Sequence, residues 1–118
     1  MWKFNNEKPI YIQLVEQIYF KIITNEYKPG EKIPSVRDLA SETKTNPNTI
    51  QKALLEIENM GLIETKRTNG KFITEDSNLI NKYKKDFINN KINNLINDLS
   101  GFNLSIDEII ELIKDGLK

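Results

Sequence analysis

Lys44–Leu54 reads KTNPNTIQKAL, and the fold turns on that stretch. Asn46 and Pro47 have the chemistry of a helix start. An asparagine side chain can accept from a first-turn amide, and proline at the first helical position loses nothing by lacking an N–H. Behind them Ile50, Ala53, Leu54 and Ile57 recur at helical spacing and form a stripe that must be buried, with the helix running to about Met60 and Gly61 suited to its C-terminal cap. Opposite that stripe, at about 100° per residue, stand Asn48, Lys52, Leu55 and Asn59, with Gln51 on the flank. Capping alone explains the first turn; the amide-rich outer face needs a second explanation.

Working back from Lys44, Ser35-Val36-Arg37-Asp38 has the pattern of a capping box and opens a short helix ending near Thr43. Val36, Leu39 and Ala40 point inward, and only Thr43 to Thr45 separate this helix from the next. An earlier helix starts at Pro9 and carries Ile10, Leu14, Val15, Ile18, Ile22 and Ile23 on one face, until Tyr27-Lys28-Pro29-Gly30 stops it. Working forward, the period changes to two. Leu62–Lys66 and Lys71–Thr74 read as strands joined by Arg67-Thr68-Asn69-Gly70, and Asn-Gly is a strong hairpin signal because both residues tolerate positive φ. Lys66, Arg67 and Lys71 make this hairpin basic.

From Leu79 the helical period returns through Ile80, Tyr83, Phe87, Ile88, Ile92, Leu95, Ile96 and Leu99, and Ser100-Gly101 ends it. Ser105 and Glu108 form a second capping-box pattern, ahead of a stripe of Ile106, Ile109, Ile110, Ile113 and Leu117. Glu75-Asp76-Ser77-Asn78 is the one candidate junction, dividing the chain into residues 1–75 and 76–118.

Composition narrows the function classes. The 118 residues contain no cysteine and no histidine, which removes disulfides, thiol chemistry, Cys/His zinc sites and the usual general base. The acidic residues are spread over polar helix faces, and no phosphate-cradling glycine loop or nucleophile elbow is present. An enzyme is therefore not expected, and neither a cofactor nor a metal is implied. MWKFNNEK lacks the apolar core of a signal peptide and no run approaches a membrane span, so a cytoplasmic protein without membrane contact is expected. Lys and Arg number 17, as do Asp and Glu, so any basic patch is local.

Two helices joined by a tight turn, with a basic hairpin behind, make a winged helix-turn-helix. A major groove admits one α-helix with its N-terminal residues against base edges, where Asn48, Thr49 and Gln51 can donate and accept. Arg37, Lys52 and the hairpin cations would hold phosphates. Taken singly, Asn46-Pro47 is a cap, Asn69-Gly70 a turn, and Lys66 with Arg67 surface charge; their order and spacing carry the inference. Double-stranded DNA is thus the expected partner. A protein-binding winged helix, using Leu55 and the C-terminal stripes, is the alternative.

The blocks PIYIQLVEQI, KPGEKIPSVRDLA, NPNTIQKAL, EIENMGLIETKR and NGKFI resemble the DNA-binding domain of GntR-type bacterial transcription regulators, from about Pro9 to Ile73. The IPSVRDLA and NPNTIQKAL blocks and the short length are similar to the YtrA-like subfamily, whose C-terminal region is small and helical. The resemblance implies DNA contact at Arg37, Asn46, Asn48, Thr49, Gln51 and the Asn69-Gly70 wing tip. Ser35, Lys52, Lys66, Arg67 and Lys71 complete the candidate set. It also implies a homodimeric repressor on a palindromic operator, commonly of an operon that includes a membrane transporter. Three residues and one segment depart from expectation: Lys44 where the turn often holds glycine, Thr45 for an apolar residue, Leu55 on the outer helix face, and Thr68-Asn69-Gly70-Lys71 for a Gly-x-Gly-Thr wing.

The expected fold is therefore mainly α with a small β-hairpin: a winged helix-turn-helix followed by a two-helix C-terminal dimerisation region. A lone helix-turn-helix reads one half-site, so a second copy is expected along the C-terminal stripe. Ile80, Tyr83, Phe87, Ile88, Ile92, Ile96, Ile109, Ile110 and Ile113 are the candidates. Those two helices are too small to enclose a sizeable effector pocket, and no pattern identifies a small-molecule effector.

Overall fold

A computed structural model describes residues 2–117, and the chain divides into two compact units, Met1–Lys84 and Lys85–Lys118. The first contains α1 (Ile10–Ile23), α2 (Val36–Thr43), α3 (Pro47–Asn59), β1 (Ile63–Lys66), β2 (Gly70–Ile73) and the start of α4 (Ser77–Leu99). The second contains the rest of α4, a 3₁₀ turn at Ser100–Phe102 and α5 (Ile106–Gly116). Mainly helical structure with one hairpin, in winged helix-turn-helix order, is what the sequence pattern predicts.

The helix starts follow from their caps. Ser35 Oγ accepts from the Asp38 amide at 3.0 Å, and Asn46 Oδ1 accepts from the Asn48 amide at 2.7 Å. Ser35–Asp38 completes only this half of the expected capping box, because aspartate is one methylene shorter than the glutamate that closes such a box. In α5 the glutamate version closes both ways. The Glu108 amide donates to Ser105 Oγ, and the Ser105 amide donates to Glu108 Oε1, each at 3.1 Å. Between α2 and α3, Lys44 adopts left-handed backbone at φ 55° and ψ 44°. This geometry favours glycine, and an L side chain there costs on the order of 1 kcal/mol. Thr45 spends its hydroxyl on the Thr43 carbonyl at 3.1 Å, so the polar substitution leaves no unpaired donor.

The core of the first unit gathers Leu14, Ile18 and Ile22 from α1, Leu39 from α2, and Ile50, Ala53, Leu54 and Ile57 from α3. Ile33, Leu62, Ile63 and Ile73 close it from the hairpin side. Burying one such aliphatic side chain contributes roughly 1.5–3 kcal/mol.

The hairpin pairs Ile63 with Ile73 and Lys66 with Gly70, leaving a three-residue turn at Arg67–Asn69. Such a turn needs one residue at positive φ, and Gly70 supplies it at 101° while Asn69 stays at negative φ. The sequence pattern does not reveal that Gly30–Ile33 lies along the free edge of β2. The Gly30 amide donates to Ile73 O at 2.9 Å, the Ile73 amide to Glu31 O at 2.8 Å and the Ile33 amide to Lys71 O at 3.0 Å, with Lys32 bridged to Phe72.

The N-terminal arm is equally non-local. Gln17 and Gln13, one turn apart on α1, act as a strand edge for it. The Lys3 amide donates to Gln17 Oε1 at 3.0 Å while Gln17 Nε2 donates to Lys3 O at 2.6 Å, and Asn5 pairs with Gln13 in the same way at 3.0 and 2.9 Å. Trp2 and Phe4 thereby pack on the core, with Trp2 Nε1 donating to Glu42 at 3.3 Å.

The first turns of α4 also belong to this unit, which corrects one expected interface position, Ile80, and gives a second, Tyr83, hydrogen-bond partners within the chain. Ile80 is 4% exposed, buried in this core instead of facing a second copy. Tyr83 donates from its hydroxyl to Met60 O at 2.9 Å and accepts at its carbonyl from the Tyr19 hydroxyl at 2.9 Å. The helical period marked both as apolar-face residues; only packing decides which surface that face covers. Gly61, at φ 85°, leaves room for the contact, since a Cβ there would stand 3.0 Å from Leu79 Cδ2.

The second unit, by contrast, has no buried side chain among its described residues. Ile88, Ile92, Leu95 and Ile96 of α4 and Ile110 and Ile113 of α5 are 40–49% exposed, and Phe87 and Ile109 are half-buried. Among the described residues no helix is long and apolar enough to cross a membrane.

Candidate nucleic-acid interface

The Asn46 cap aims the first turn of α3 outward. With Ile50, Ala53, Leu54 and Ile57 buried, the 3.6-residue period leaves Asn48, Gln51 and Lys52 exposed and Thr49 half-buried. Asn46 spends its Oδ1 on the Asn48 amide, so its direct role is to shape the turn, while the Asn48 side chain stays solvent-exposed. Further along, Leu55 is 55% exposed, and Lys52 Nζ sits 4.2 Å from the centre of the Tyr11 ring. That stacking draws one expected phosphate contact toward α1. Tyr11 in turn donates to Glu56, whose carboxylate raises the phenol's pKa.

On α2, Ser35 is engaged as the cap, whereas Arg37 is exposed with no partner among the described residues. A guanidinium free of such partners, about two turns before the tight corner, is suited to a phosphate.

The wing divides its cations. Lys71 pairs across the sheet with Thr65, on the face turned to α3, and its ammonium reaches Glu58 at 3.2 Å and Thr65 Oγ1 at 2.9 Å. Thr65 also donates to Glu58 at 2.5 Å, and these bonds, Thr65's foremost, hold the Glu58 carboxyl below its ordinary pKa. Lys71 therefore fastens the wing to α3 and is not the free tip cation expected from its place beside Gly70. Lys66 lies 4.5 Å from the centre of the Phe72 ring, and Arg67 is exposed in the turn without a partner among the described residues.

Thr68, Asn69, Gly70 and Lys71 at the wing tip come together with Ser35 and Val36 of the α2 start and Leu54 of α3 around a cleft of about 380 Å³. Lys32 lines it too: it falls in the KPGEKIPSVRDLA block without an expected DNA contact, and its pairing with β2 brings it there. In sequence, its basic character beside the IPS block is the sole hint.

Comparison with known proteins agrees with this geometry. Residues 10–73 match the family described as bacterial regulatory proteins, gntR family. The HTH-type transcriptional repressor YtrA of Bacillus subtilis is 36% identical over 108 residues, covering 91% of this chain and 83% of that protein. A GntR family transcriptional regulator from Listeria monocytogenes superposes with a TM-score of 0.89 at 38% identity, over 95% of this chain and 98% of that one. The DNA-binding domain of AraR, solved in complex with operator ORX1, aligns over 61% of this chain and 93% of its own length at 26% identity and a TM-score of 0.57. The matched segment spans the capped helices, the tight corner and the wing described above, and the chain accordingly belongs to the GntR family of DNA-binding transcriptional regulators, with a YtrA-like short form.

Proposed function

We propose that the protein is a homodimeric repressor that reads a palindromic operator in the cytoplasm. The observation that carries this reading is the first turn of α3, capped by Asn46 and presenting Asn48 and Gln51 to solvent, with Arg37 exposed on α2 and without a partner among the described residues. Asn48, Thr49 and Gln51 face base edges; Arg37, Lys52, Lys66 and Arg67 hold the backbone; Ser35, Asn46, Asn69, Gly70 and Lys71 shape the helix starts and wing that carry them. The remaining interface candidates, Phe87, Ile88, Ile92, Ile96, Ile109, Ile110 and Ile113, lie in a unit with no buried side chain among its described residues, which supports a second copy as their partner. The naming of YtrA as a repressor supports repression, and the family resemblance points to an operon that includes a membrane transporter.

The test is fluorescence anisotropy with duplexes tiled across the DNA upstream of the gene, at two salt concentrations and with scrambled competitor. Tight, salt-sensitive, competitor-resistant binding to one palindromic tile is expected, from a species of twice 13.7 kDa by light scattering. Uniform weak binding that vanishes with salt overturns sequence-specific reading. The exposed Leu55, beside a hollow of about 480 Å³ lined also by Tyr11 and Met60, favours a protein-binding module as the second reading in that event.

A further inference from the structure

The cleft between the wing and the start of α2 has a floor and a rim of opposite character. Val36, half-buried, is an accessible apolar residue in it, with Ile33 and Leu54 in the core behind it, and Lys32 lines the same cleft. Lys32 is exposed and has no hydrogen-bond or ion-pair partner among the described residues, whereas Lys71 on the same cleft is held by Glu58. Its backbone is fixed by pairing with Phe72, so only the side chain is free to move. Gly70 makes room for that side chain: a Cβ at Gly70 would lie 3.0 Å from Lys32 Cε and 3.7 Å from Nζ. Lys66 flanks the same strand from the other side, over the Phe72 ring.

We propose that Lys32 clamps one phosphate of the operator backbone at the mouth of this cleft, with the adjoining deoxyribose against the half-buried Val36. A sugar-phosphate unit has the matching character, an anion joined to a weakly polar ring, and an unpaired ammonium is the donor that a phosphate lacks elsewhere on this rim. The glycine at position 70 then serves two ends, closing the three-residue turn and admitting the lysine. This inference rests on the DNA-binding reading and adds a residue to which the family resemblance assigns no DNA contact.

The experiment measures operator affinity of the full-length protein against salt for wild type, Lys32→Gln, Lys32→Arg and Lys28→Gln. Loss of one phosphate contact lowers the slope of log K against log salt by about 0.9. Extrapolated from 1 M, this is a roughly fivefold loss of affinity near 0.15 M salt. Lys32→Gln is expected to show both changes while its ratio of operator to scrambled binding stays that of wild type. Lys32→Arg, which keeps the charge, restores the slope, and Lys28→Gln, which removes a charge from a turn outside the cleft, leaves it unchanged. A wild-type slope in Lys32→Gln, or an equal drop in Lys28→Gln, overturns the clamp even though the wild type still selects its operator. If wild type selects no tile, the DNA-reading proposal fails first and the clamp with it. Circular dichroism of each variant separates a lost contact from a lost fold.

Discussion

The two units of this chain use similar apolar residues to different ends. In Met1–Lys84 the isoleucines and leucines of three helices and a hairpin enclose one another, and Leu14, Ile22, Ile50 and Ile57 have no exposed surface. In Lys85–Lys118 a stripe just as regular leaves Ile92 49% and Ile113 46% exposed. Periodicity thus tells which side of a helix is apolar and not what that side meets. The first unit is a self-sufficient core carrying the polar face proposed to read DNA; the second has apolar surface to spare.

The sharpest way to break the contrast is to truncate one isoleucine in each unit. Ile57→Ala should cost about 2–5 kcal/mol in urea unfolding, whatever the protein concentration, because it leaves a cavity in a closed core. Ile92→Ala should cost less at low concentration and show a loss that depends on concentration, as association-linked stability does. An equal, concentration-independent loss at both sites would show that the second unit is stable by itself.

Within the first unit, the reading face and its supports should separate in binding. Asn48→Ala is expected to cost about 1–3 kcal/mol on the operator and much less on scrambled DNA. Arg37→Ala should weaken both and reduce the salt slope by about 1. Unchanged operator affinity in both variants would mean that α3 does not dock by its first turn.

A smaller effect belongs to the corner between α2 and α3. Replacing Lys44, at φ 55°, by glycine should raise stability by about 1 kcal/mol, read as a higher Tm. No gain would mean that the corner rearranges around glycine.

The smallest effect concerns the wing. Hydrogen bonds from Thr65 and Lys71 lower the Glu58 pKa below its ordinary 4.5, so the stabilisation is fully present above that value and is lost as pH falls through the lowered one. Both ammonium and carboxylate are partly solvated, which keeps the contribution under about 1 kcal/mol. The Tm difference between wild type and Glu58→Gln should therefore be widest near neutral pH and close in acid. A gap that persists in acid would assign the effect to packing.

Much of the fold was legible because its signals are local. Asn46-Pro47, Ser35 and Ser105 satisfy amides two or three residues away, and Gly61 and Gly70 occupy the positive-φ positions their turns require. Residues 36–59 could be placed from those signals together with the 3.6-residue period. Illegible were the contacts whose partners lie far along the chain: the arm at Trp2, whose indole reaches Glu42, and the Gly30–Ile33 edge on β2. The same cause moved Lys71 from the wing tip to Glu58 and brought Lys32 to the candidate cleft.

By itself, then, the sequence determined the winged helix-turn-helix, the helix proposed to read DNA and the family to which the chain belongs, since caps, periods and motif spacing are written in neighbouring residues. Only the tertiary structure decided which cations are free, which lysine borders the cleft, and that Ile80 and Tyr83 close the first core. Each of those outcomes depends on two distant segments meeting, and a side chain's chemistry is set by the neighbour it meets as much as by its own identity.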